Sequence, residues 1–183
     1  MFRLAHFSLL FFGLAIVGAA QNRYFTKTGT ILFSAGTAVE DIDGTNKSVT
    51  SVFDATTGQI EFAVLVKGFE FKRGLMQEHF NENYLESDRF PKSTFKGKFE
   101  DLSKVSFTKD GTYPVAVKGT LEVHNVKKEV SVPGTIVIDK GIISSTASFK
   151  IKLEDYDVKI PGAVKDKISP TVEIKVNCTY KPL

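Results

Sequence analysis

The chain has one cysteine, no tryptophan and two methionines among 183 residues. With Cys178 alone no intramolecular disulfide can form, so a buried core has to supply the stability. Charge of one sign is also scarce. The 24 Lys and Arg against 21 Asp and Glu leave a formal net charge of +3, too weak a bias for a nucleic-acid binder. Lysines stand singly along alternating stretches rather than in runs, as on a solvated sheet face. No G-x-S-x-G, Walker or Rossmann pattern occurs, which argues against an enzyme of those classes and implies no cofactor. Beyond His6 the histidines are His79 and His124, neither with a second ligand at metal-binding spacing, so no metal site is expected. Glu154, Asp155 and Asp157 read as a solvated turn rather than a catalytic pair.

The first twenty residues, MFRLAHFSLLFFGLAIVGAA, differ from the rest. A basic start at Arg3, an apolar stretch from Phe7 to Val17 and small residues at Gly18, Ala19 and Ala20 have the layout of a secretory signal peptide. The apolar stretch falls short of the ~20 residues a span needs. The reading is therefore a cleaved signal at 1–20, one domain at 21–183, a periplasmic or secreted location and no stable membrane span after cleavage.

From Gln21 onward period-two alternation dominates. Val115, Val117, Leu121 and Val123 alternate with mostly polar neighbours, and so do Val130, Val132, Ile136 and Ile138. Ile143, Ala147, Phe149, Ile151 and Leu153 repeat the pattern, as do Val172, Ile174, Val176, Cys178 and Tyr180. Such stretches are strands with one dry and one wet face, and strands of that kind are mostly antiparallel. Turn signals at Gly58, Asp110-Gly111, His124-Asn125 and Asp139-Lys140-Gly141 separate them. Earlier strands are expected at about 24–34, 46–54, 59–71 and 93–100. Eight or so long strands suit an all-β antiparallel barrel better than a two-sheet sandwich, and a barrel of that size can hold a small ligand.

The alternation stops in GLMQEHFNENYLESDRFPKSTFKG, residues 74–97. Met76, Phe80 and Tyr84 recur at helical spacing with Leu75 and His79 beside them. A helical insert of one or two short helices is expected at about 74–89, with Asn83 and Glu86 able to form the capping box of a second short turn and Pro91 marking the return to a strand. Its apolar face would plug the mouth of a barrel or wall a ligand.

At these residues the chain resembles the YceI-like family. The resemblance rests on Met76, His79, Phe80, Tyr84, Leu85, Phe90, Pro91 and Phe95, then on Gly119, Leu121, Val123, His124 and Lys128. It implies a lipocalin-like antiparallel barrel around an apolar tunnel that holds an isoprenoid or other long-chain lipid, such as a polyprenyl diphosphate or a quinone-like molecule. Phe62, Val64, Leu75, Met76, His79, Phe80, Tyr84, Phe95, Leu121 and Phe149 are the expected ligand-binding residues. Arg73 and Arg89, with Lys72 and His79 nearby, are the candidates for a charged head group, which has to stay at the mouth. A homodimer is compatible with this reading. The competing readings are a structural or stress-related barrel filled by its own phenylalanines, and an enzyme using His79 or His124 on an apolar substrate.

Overall fold

Each stretch of alternation becomes a strand in the computed structural model, which describes residues 22–183. The segment read as a signal peptide lies outside the described residues. The strands are β1 (Arg23–Gly36), β2 (Asp43–Asp54), β3 (Gln59–Leu65), β4 (Glu70–Phe71) and β5 (Lys92–Phe99). They continue with β6 (Gly111–Val123), β7 (Val126–Asp139), β8 (Ile142–Lys152) and β9 (Ile168–Pro182). Neighbours run antiparallel in the order β1-β9-β8-β7-β6-β5-β3-β2, and β1 also pairs with β2. That last pairing closes an eight-stranded barrel and excludes the sandwich. β7 and β8 pair only over Gly134–Asp139 and Ile142–Ala147, so the first half of β7 keeps one free edge.

Two hairpins show how local sequence sets the register. His124-Asn125 and Lys140-Gly141 are two-residue loops with positive φ at every position (50°, 63°, 49° and 77°), the backbone twist that a tight hairpin requires. Gly119 faces Gly97 across β5 and β6. A Cβ on Gly119 would lie 2.3 Å from the Lys96 carbonyl oxygen, so the two strands approach here at a distance only glycine permits.

The structure corrects two boundaries. The strand expected over 59–71 breaks at Val66–Gly68, which forms a single 3-10 turn. Asn46, buried on β2, donates from Nδ2 to the Leu65 carbonyl at 3.0 Å and pins the break. Past it, β4 pairs again with β2, at Gly44 and Thr45. The second short helix is absent. Instead α1 (Gly74–His79) runs straight into a wide π turn over Phe80–Tyr84, closed by Leu85 N–H on the Phe80 carbonyl at 2.9 Å. Glu86 then adopts φ 43°, which ends helical geometry, and its carbonyl accepts from the N–H groups of Arg89 and Phe90. Pro91 follows and β5 begins.

One end of the barrel is packed shut. Phe53, Ile60, Phe99, Ile136, Ile138, Ile143, Cys178 and Tyr180 are buried together, and the 100–110 loop lays Leu102, Val105 and Phe107 against them. Tyr24 stacks on Phe53 at 5.0 Å, and Tyr180 meets the same ring edge-on at 4.9 Å. The Tyr180 hydroxyl pairs with buried Ser51 Oγ at 3.1 Å, so the phenol is not left without a partner.

Candidate functional site

Above this floor the lumen is not filled. Val117, Ala147, Phe149, Ile174 and Val176 point inward on their strands yet keep part of their surface accessible, because they face a cavity rather than one another. The cavity measures about 490 Å³. Its wall is mainly aliphatic and aromatic, with a few hydroxyls at Ser93, Thr94, Thr135, Ser145 and Thr146. Volume and lining match those of small-molecule sites, which are apolar and of about 300–1,000 Å³.

The helical insert builds the upper wall through one anchor. Phe80 stacks on Phe33 at 5.3 Å and meets Phe69 and Phe71 at 5.5 Å and 5.0 Å, forming a cluster of four rings. Such pairs contribute about 0.5–1.5 kcal/mol each beyond burial, enough to hold a helix of this length against the barrel. With Phe80 seated, Met76 and Tyr84 face the lumen, and Leu75 and His79 reach its rim. Leu75 remains 62% exposed, which marks the open mouth. Burial raises the Tyr84 phenol above its ordinary pKa, so it faces the cavity as a neutral hydroxyl.

Charge enters the wall at one place. Among the described residues lining the cavity, Glu40, Arg73 and Lys167 carry the formal charges. Glu40 comes from the β1–β2 loop, Arg73 precedes α1, and Lys167 precedes β9. Arg73 reaches Glu40 Oε1 at 2.8 Å and Lys167 reaches Oε2 at 3.7 Å. Thr37 Oγ1 adds a hydrogen bond to the Asp166 carbonyl at 2.7 Å, tying the same two loops. A groove on the outer side of Arg73 is lined by Asp41, Asp43, Lys72 and Met76.

All ten expected ligand-binding residues line the one cavity, although Phe62, Val64, Phe95, Leu121 and Phe149 come from strands far apart in sequence. Of the head-group candidates, Arg73 is at the mouth and Arg89 is not part of the wall. Arg89 turns outward, pairing with Glu86 at 3.0 Å and lying 4.8 Å above the Phe90 ring. Phe90 in turn meets His124 edge-on at 4.8 Å. His124 Nδ1 lies 3.1 Å from the Tyr156 carbonyl, and its Nε2 faces Glu86 at 3.5 Å. These residues brace the end of the insert against the β6–β7 hairpin from outside the lumen. His124 therefore acts as a strut behind the wall and is not itself part of the lining. Glu154, Asp155 and Asp157 are exposed around a 3-10 turn.

Phe33, Phe69, Phe71, Glu40 and Lys167 were not foreseen as wall residues. Phe33 was readable, since Ile31, Phe33 and Ala35 alternate along β1. The two charged residues lie in loops, where no period marks them. Among the described residues no cluster of metal-ligating side chains occurs, and no helix is long and apolar enough to cross a membrane.

A family model described as YceI-like domain matches residues 24–180. Among solved structures, a polyisoprenoid binding domain from Saccharophagus degradans, implicated in plant cell wall breakdown, superposes with a TM-score of 0.76 at 14% identity, over 89% of this chain and 99% of that one. BcnA of Burkholderia cenocepacia gives 0.69 at 14% identity, over 83% and 96% of the two chains. A Campylobacter jejuni YceI protein gives 0.53 at 15% identity, over 99% and 92%. At such identities the likeness speaks to the fold. No curated protein matches the chain.

Proposed function

Because this chain belongs to the YceI-like domain family, we propose that its barrel binds the apolar tail of a lipid, of the polyisoprenoid or isoprenoid-quinone kind, with the head group at the mouth. The observation that carries the reading is the vacant apolar lumen of about 490 Å³ above a closed floor. At about 30 Å³ per carbon-sized atom, the share a water takes in the liquid, that space admits on the order of sixteen carbons. Burying them at about 0.8 kcal/mol each yields on the order of 13 kcal/mol before ordering and association costs. A surplus near 8 kcal/mol corresponds to micromolar binding. A mainly apolar wall suits solvation of the tail rather than turnover. The leader-like residues 1–20 support an exported protein that holds its guest outside the cytoplasm.

The self-filled alternative has the ring cluster at the closed end in its favour, but those rings leave the upper lumen empty. Native mass spectrometry of the folded protein, with organic extraction and uptake of prenyl alcohols, tests the reading. A co-purifying or acquired prenyl lipid at one per chain is expected. A protein that carries no lipid and takes none up would refute it.

A further inference from the structure

The charged trio at the mouth has a second consequence, which rests on the lipid-binding reading. We propose that Glu40 is a specificity-determining residue that turns the mouth against anionic head groups and toward uncharged, hydrogen-bond-accepting ones such as a hydroxyl or a carbonyl.

The two cations that face the cavity, Arg73 and Lys167, share one counter-ion. Glu40 uses one oxygen for each, at 2.8 Å and 3.7 Å. Its side chain is only 18% exposed, while those of Arg73 and Lys167 are 64% and 45% exposed, so the carboxylate is the sheltered member of both pairs. A diphosphate that takes the remaining donors of Arg73, or reaches Lys167, has to sit beside the Glu40 carboxylate as a like charge. The backbone gives Glu40 little freedom to withdraw. The Thr37 N–H donates to the Glu40 carbonyl at 3.0 Å, and Thr37 Oγ1 binds the Asp166 carbonyl, so both ends of the short loop are held.

An uncharged head meets none of this. Arg73 carries five N–H donors in a planar fork and commits one nitrogen to Glu40. The remaining donors can serve a hydroxyl or carbonyl oxygen with both ion pairs intact. The same carboxylate therefore closes the site to one head-group chemistry and orients the donor for the other.

The test compares farnesol with farnesyl diphosphate, which share one prenyl tail, by isothermal titration against the full chain. The natural protein is expected to bind the alcohol at least tenfold more tightly. Glu40→Gln, nearly the same shape without the charge, is expected to move the ratio of the two affinities at least tenfold toward the diphosphate. A natural protein that prefers the diphosphate, or a ratio that Glu40→Gln leaves unchanged, overturns the proposal while the lipid reading stands. Binding of neither compound removes the lipid reading, and this proposal with it.

Discussion

Ala147→Phe asks whether the lumen is truly vacant, and it gives two readouts that move in opposite directions if it is. Ala147 lies on β8 between Gly134 and Val176, with its side chain in the cavity wall. The substitution adds six carbons, about 180 Å³ at the liquid volume per atom, more than a third of the 490 Å³ present. A prenyl guest then loses up to about six buried carbons, or about 5 kcal/mol, which is on the order of a few thousandfold in affinity. Sliding outward recovers part of this, so at least a tenfold loss is expected by titration with a prenyl alcohol. Stability moves the other way. The ring fills empty space and gains about 1–2 kcal/mol of burial, which raises the melting temperature by a few degrees for a chain of this size. In a packed lumen the same ring would overfill the core and cost about 1–3 kcal/mol. A lowered melting temperature with unchanged binding would therefore refute both the unfilled lumen and the lipid-binding reading.

Phe80→Ala removes the hub of the ring cluster and should cost about 3 kcal/mol in urea unfolding, with hydrogen exchange accelerated across 74–84; unchanged exchange there would show that something else seats α1. His124→Ala should cost about 1–2 kcal/mol through its lost Tyr156 contact and Phe90 packing, and leave prenyl binding intact, because His124 is outside the wall. Loss of binding in a folded His124→Ala protein would contradict the strut role. Burial pushes the Cys178 thiol up to about 11, so the native protein should resist thiol reagents at neutral pH and react on unfolding. The sign follows from proton counting: above the ordinary thiol pKa the unfolded chain has lost a proton that the native state keeps. Stability should fall by up to about 1.4 kcal/mol per pH unit between about pH 9 and 11, and Cys178→Ala should flatten that slope.

The barrel was legible because each strand has one dry face. Val115 through Val123 and Val172 through Tyr180 repeat every second residue, and the lumen collects those repeats whatever their distance in sequence. The break after β3 leaves a trace in the sequence. Apolar residues sit at even positions through Ile60, Phe62, Val64 and Val66, then at odd ones at Phe69 and Phe71. That change of parity requires a turn between them, and the Val66–Gly68 turn supplies it. Arg89 misled for a different reason. It neighbours the insert in sequence, but the positive φ at Glu86 swings the chain outward before Arg89 is reached. Glu40 and Lys167 left no sign at all, since a pairing between two loops is set by closure of the whole barrel and not by any local pattern.

The floor built on Phe53 and Tyr180 makes the tube blind at one end. If the lumen holds a linear lipid as proposed, that guest enters tail leading and halts where the rings begin. The distance from those rings to the lips would then act as a ruler, with shorter tails drawing their heads inside and longer ones leaving theirs protruding.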